Sequence, residues 1–198
     1  MKTLLVYAHL LAACVSVGIL LLQDLALAKT RGNPLPEKMV HDLRTAADIM
    51  FAALVVLWVT GLALVIVGYL DNPQQYLMNP KLWAKFTVVS ILTLNGLLLH
   101  YFSFPRVVSH TGLLGRSPLE QSLIATTGAI SSTSWLFACF LGIARPWNYT
   151  AQYEFVMLVY AALVIGAVIV ACKIMHSLRV QEPPLLTERV SLSSPHSK

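Results

Sequence analysis

Residues 49–70 read IMFAALVVLWVTGLALVIVGYL: from Ile49 to Leu70 there is no Asp, Glu, Lys or Arg, and Thr60 is the one small polar side chain. A helix rises about 1.5 Å per residue, so this run is long enough to cross a hydrocarbon core about 30 Å thick. Inside lipid the backbone has to satisfy its own hydrogen bonds, which leaves helix as the conformation for a lone apolar run. Working outward, the same reading gives five spans: Thr3 to Ala28, Ala46 to Tyr69, Leu82 to Phe102, Leu123 to Ala144 and Phe155 to Ile174. The whole chain agrees, with 198 residues, 57% hydrophobic, 12% charged and a mean hydropathy of +0.69. A soluble domain carries about 25% charged residues. The predicted fold is therefore all-α, an integral membrane bundle of five transmembrane helices over residues 1–176. A polar Pro- and Ser-rich tail follows at 177–198 and is expected to be mobile.

Lys2 ahead of an apolar run and the small residues Ala26 and Ala28 imitate a signal peptide, but the run exceeds the 7 to 15 residues of a typical h-region and reads as a retained span. Pro34 and Pro36 follow Asn33, expected to cap a second helix that begins outside the lipid.

The net charge of +5 does not point to nucleic acid, because the basic residues form no run. They sort by side of the membrane instead. Loops 29–45 and 103–122, the end of the fifth span with Lys173, and the tail hold ten of the 14 Lys and Arg residues, leaving Lys2, Lys81, Lys85 and Arg145 for the other side. The positive-inside rule then predicts an outer N-terminus and a cytoplasmic C-terminus in a bacterial-type inner membrane. Cys14, Cys139 and Cys172 fall inside apolar stretches at unrelated spacings, which excludes a disulfide framework or a CxxC metal knuckle.

Lipid is as apolar as leucine, so membrane helices associate where small residues let backbones approach and where polar groups find partners. Small pairs four apart recur at Ala12/Ser16, Cys14/Gly18, Gly128/Ser132, Ala162/Gly166 and Ala167/Ala171, and are expected to face inward. The fourth span carries Thr126, Thr127, Ser131, Ser132, Thr133 and Ser134. These hydroxyls either bond the preceding turn's carbonyls or line a hydrated groove. Asn95 has no such internal outlet and is expected to bond another helix or a ligand.

Ionisable groups at membrane depth are functional candidates. An outer layer holds His9, Lys85, Arg145 and Glu154; an inner one holds Asp24, His41, Arg44, Asp48, His100, His110 and His176. The helical rise puts His9 roughly 9 Å and His100 about 27 Å below the outer surface, so the two cannot clamp one haem. Neutral imidazole is an ordinary axial ligand to haem iron. An outer porphyrin would take His9 on one face, its other face open or met by Met157, with Lys85 or Arg145 beside its propionates. An inner one would use His100 with His41 or His176. Copper is a second metal that imidazole and thioether serve, although the six methionines form no cluster. A membrane histidine near a helix end also commonly bonds a carbonyl or a headgroup.

The stretch Thr60-Gly-Leu-Ala, through Leu77-Met-Asn-Pro-Lys-Leu-Trp-Ala-Lys85, to Asn95-Gly-Leu-Leu-Leu-His100 and Pro105-Arg106 resembles the core of small membrane proteins of the copper-resistance D (CopD) family and the HemJ-type protoporphyrinogen oxidases. Trp83 and Lys85 match a W-x-K element, Asn95 an asparagine of the copper-related branch, His100 a histidine late in the third HemJ helix, and His9 the first-helix histidine used toward haem. The resemblance covers residues 4–106 and implies shared architecture with a haem or porphyrin site that includes Trp83, Lys85 and Asn95. Where HemJ-type proteins carry a late first-helix arginine this chain has Gln23-Asp24, and its fifth span exceeds their four-helix plan.

Three functions follow as expectations. The first is binding of haem b or a porphyrin, for electron transfer or porphyrin handling. The second is a non-catalytic subunit of a larger membrane complex or homo-oligomer. The third is a copper or small-solute permease. No nucleophilic triad, phosphate loop or paired carboxylates point to hydrolysis.

Overall fold

The structure is a computed structural model that describes residues 2–108, 113, 115 and 117–181. His110, Arg116 and tail residues 182–198 lie outside the described residues. Helix accounts for nearly all of what is described, and five stretches are long and apolar enough to cross a membrane.

Helix α1 runs Lys2–Thr30. It stops where the backbone turns left-handed at Arg31 and Gly32, φ 51° and 83°, the second a residue that enters this region without steric cost. Helix α2, Glu37–Asp71, starts later than a cap at Asn33 would allow. Two prolines hold the chain extended, and Pro36 becomes the residue ahead of the first turn, with no side-chain cap. The Asn33 N–H bonds back to the Thr30 carbonyl at 3.0 Å instead. At 35 residues α2 is about 52 Å long, so its polar first turns extend past the hydrocarbon, as its sequence implied.

Short α3, Pro73–Leu77, folds the chain back so that the Tyr76 ring lies on Gly68 of α2, where any Cβ would collide with it. Burial raises the Tyr76 phenol above its ordinary pKa. Asn79 caps α4, Pro80–Leu98, accepting from the Lys81 N–H at 3.2 Å. The third span does not end at Phe102. It widens into a π-helical turn, Leu99–Ser103, and continues as α5, Phe104–Val107. Pro105 lacks the N–H that an α-turn would direct at Tyr101, and a wider turn absorbs that loss.

Helix α6, Pro118–Ile143, begins with a reciprocal capping box between Ser117 and Glu120, five residues before the apolar run. A 3₁₀ turn, Arg145–Trp147, leads to α7, Tyr153–Gln181, which outlasts the apolar segment by about two turns. These extensions share one cause: hydropathy marks where lipid begins, whereas caps and prolines decide where helix begins.

Lys2 pairs with Asp71 at 3.0 Å across the first two helices. Lys81 meets Ala144 and Asn148, and Thr87 meets Tyr153. These contacts define one end of the bundle, called the upper end. At the opposite end Arg106 pairs with Glu120 and stacks on Phe102, its carbon 3.7 Å from the ring centroid.

The helices form two groups. One is α1 packed on α2; the other is α4, α6 and α7 packed on one another. The backbones of α1 and α2 hardly approach that of α4. Side chains bridge the seam: Leu20, Leu54, Leu92 and Trp135 cluster across it, and the Trp58 indole donates to Thr93 at 3.1 Å. A second core of Val88, Phe137, Leu141, Val156 and Tyr160 lies within the larger group.

Small-residue pairs divide between inside and outside. Ala12 and Ser16 are buried in the bundle, whereas Cys14 with Gly18 and Ala162 with Gly166 lie on exposed faces, contrary to expectation. Spacing by four fixes a shared face without saying which. Cys14 stands about 200° around α1 from Ala12, because each residue turns the helix by about 100°. The large apolar residues that remain exposed on these helices, such as Leu22, Ile66 and Leu158, are the surface a multi-pass membrane protein offers to lipid.

Candidate functional site

His9 lies on the face of α1 that meets α2. Its Nδ1 is 2.8 Å from Thr60 Oγ1, and its Cε1 edge rests on Gly61, where an added Cβ would sit 3.4 Å away. Thr60 owns one hydroxyl proton, which it gives to the Val56 carbonyl at 2.6 Å. With its proton there the oxygen accepts, and the matching assignment puts the imidazole proton on Nδ1. Nε2 then bears a lone pair, and no hydrogen bond to it forms among the described residues. A histidine oriented by an outer partner, with its second nitrogen bare, has the arrangement of a metal ligand or a base.

Across the seam, Lys85 stands on α4 one turn above Val89 and two above Leu92, on the helix side that joins the cluster bridging the two groups. It is partly buried and has no hydrogen-bond or ion-pair partner among the described residues. The Trp58 and Phe86 rings, 6.2 Å apart, bridge α2 and α4 beside these two residues. Lys81, one turn above Lys85, has a different environment. It is 3% exposed, and its ammonium donates to the Ala144 carbonyl at the end of α6 and to Asn148 Oδ1 at 3.0 Å. A cation at a helix C-terminus is favoured by the dipole there. Lys81 is a structural cap.

The remaining candidates are dispersed. Trp83 is half exposed, and its indole donates to the Leu77 carbonyl at 2.9 Å. Asn95 is buried and donates to the Thr127 carbonyl on α6 at 2.9 Å, so of its two expected outlets the helix takes it. Arg145 is exposed in the 3₁₀ turn. His100 is exposed in the π turn, edge-on to Tyr101. His41 and His176 are exposed near the start of α2 and the end of α7. Met157 packs against the core of the larger group. Among the described residues no three His, Cys, Asp or Glu side chains converge as a metal site. The structure thus brings together His9 and Thr60, sets Lys85 on the α4 side that faces their seam, and leaves His41, His100 and His176 apart from one another in separate elements.

Within the fourth span, Thr127 and Ser134 bond the carbonyls of the preceding turn, and Ser134 also meets Tyr160 at 2.7 Å. Ser132 reaches the first helix and donates to Asp24 at 2.7 Å. These contacts account for three of the hydroxyls by packing.

Sequence reasoning passed over Thr60 as a site residue, although a single small hydroxyl in an otherwise apolar run was signal enough. Lys81 had no such signal, because its partner is a main-chain carbonyl 63 residues away. Compared with family models, curated proteins and solved structures, the chain matches none.

Proposed function

We propose that this membrane protein binds haem b or a related porphyrin in the seam between α1, α2 and α4, where His9 would hold the iron through Nε2. The observation that carries the reading is the hydrogen bond between His9 Nδ1 and Thr60, which orients the ring and leaves Nε2 without a hydrogen bond among the described residues. Among the described residues His41, His100 and His176 lie far along their helices from His9, so the reading takes a single protein ligand, with the ammonium of Lys85, unpaired among the described residues, to meet an anionic substituent. Bound haem would supply the redox-active iron. The chain supplies an oriented imidazole, an apolar wall from Trp58 and Phe86, and a positive charge. One ligand and dispersed inner histidines favour porphyrin handling over a two-haem electron relay.

The charge asymmetry supports an inner-membrane setting with the upper end outside. The test of the haem reading is a reduced-minus-oxidised spectrum of protein purified in mild detergent after expression with ample haem. A Soret band that is lost in His9→Ala and kept in His100→Ala is expected. Its absence from the wild type defeats the reading.

A second reading, a subunit docked in a larger membrane complex, is favoured by the exposed small residues Ala161, Ala162 and Gly166 on α7, where another backbone can approach closely. It expects a discrete heteromeric mass on gentle extraction, and a monodisperse single chain rejects it.

A further inference from the structure

The upper end of the bundle holds more buried positive charge than its own residues neutralise. Lys2 is paired with Asp71 at the surface, and Lys81 is spent on the end of α6. Glu154, at the start of α7, is exposed and makes no ion pair with either lysine. Lys85 faces the seam from α4, on the same helix side as Val89 and Leu92 of the cluster across it, with Lys81 one turn away on its own helix and His9 on α1 as the charged or chargeable groups acting on it. Both neighbours are basic. An ammonium in an apolar setting is costly unless an anion meets it, and no side chain among the described residues does so.

The surroundings limit what that anion can be attached to. The seam at this height is bridged by side chains, and Trp58 and Phe86 present apolar rings. Thr60 is bonded to its own helix and to His9, so it contributes no further donor. One cation beside an apolar wall suits a molecule that is mostly hydrocarbon and ends in one acidic group.

We propose that Lys85 reads a free carboxylate on an apolar ligand that lodges in this seam. The inference rests on the His9 reading only in taking a porphyrin as its first probe. Porphyrin propionates and long-chain fatty acids share the required chemistry. An alternative use of Lys85, extending its four-carbon stem to lipid headgroups, carries no preference between an acid and its ester.

The test uses full-length protein in nanodiscs of phosphatidylcholine. Affinities are measured for metal-free protoporphyrin and its dimethyl ester, and for a long-chain fatty acid and its methyl ester. The variants are Lys85→Gln, Lys85→Arg and, as a control away from the seam, His100→Ala, each checked for a monodisperse elution profile. The acid is expected to bind about tenfold more tightly than its ester, equivalent to about 1.4 kcal/mol. Lys85→Gln closes that gap and Lys85→Arg keeps it. His100→Ala, at an exposed position in the π turn, also keeps it.

Equal affinity for acid and ester in the wild type overturns the inference, as does a gap that survives Lys85→Gln, or no binding of either acid. If haem binds through His9 without acid preference, the haem reading stands and this inference falls. If only the fatty acid binds, and does so through Lys85, the inference stands and the haem reading falls.

Discussion

Asn95, Ser103 and Thr127, in the lower half of the bundle, and His9, Thr60 and Lys85, near its upper end, are polar groups set among apolar helices. Their partners differ. In the lower group Asn95 donates to the Thr127 carbonyl at 2.9 Å, and Ser103 lies 2.8 Å from the Thr127 hydroxyl, which itself bonds its own helix. Three helical segments are tied together by groups that serve each other. In the upper group the hydrogen bonds run one way, from His9 to Thr60 to a carbonyl, and stop. An imidazole nitrogen and an ammonium are left over. Depth and residue type do not separate the two groups, whereas the tally of partners does.

The sharpest break in the comparison is His9→Ala. It is expected to abolish the haem spectrum while changing thermal stability little, because the lost hydrogen bond is worth about 0.6 kcal/mol on average in membrane proteins. A variant that keeps the Soret band moves His9 into the structural class with Asn95. Next in size is Lys81→Met, which removes a buried cation from the Ala144 carbonyl and from Asn148. Hydrogen bonds to charged groups are worth about 1.5–3 kcal/mol, so a loss of about 2 kcal/mol in unfolding free energy is expected, with porphyrin affinity kept. An unchanged melting profile would remove Lys81 from the scaffold.

Thr60→Val tests the link between the fixed tautomer and ligation. Valine matches threonine in shape and removes the acceptor, freeing the ring to turn or to move its proton to Nε2. Loss of an outer partner commonly costs 10- to 100-fold in metal affinity, so haem is expected to bind about tenfold more weakly, with binding of metal-free porphyrin unaffected. Equal loss for both would mean that Thr60 shapes the cavity instead of the imidazole.

The five spans and the helical class were legible because they rest on apolar runs, which lipid requires of any sequence. His9 and Lys85 stood out as candidates for the related reason that ionisable residues at membrane depth are costly. The grouping of helices was hidden. Ala12/Ser16 and Ala162/Gly166 have the same spacing, yet only the first pair is buried. The partner of His9 was marked by the lone hydroxyl of Thr60, but pairing it with residue 9 needs the register between α1 and α2, which in an apolar interface no charge or repeat announces. His41, His100 and His176 suited the same chemistry by residue type, and the fold leaves them exposed at separate places.

The smallest expected effect comes from the lower group. Asn95→Leu keeps roughly the volume of the side chain and removes its bond to the Thr127 carbonyl, a group already engaged in the α6 ladder, so no costly orphan is created on α6. Interhelical hydrogen bonds in membranes average about 0.6 kcal/mol and reach about 1.7, which puts the expected loss near 1 kcal/mol with the haem spectrum intact. Unfolding in mixed micelles measures the first quantity and the Soret band the second. If Asn95→Leu were to leave stability unchanged and weaken porphyrin binding, the partner tally would have misjudged the lower group: a satisfied asparagine would be part of the site, and the upper group's leftover valences would no longer set it apart.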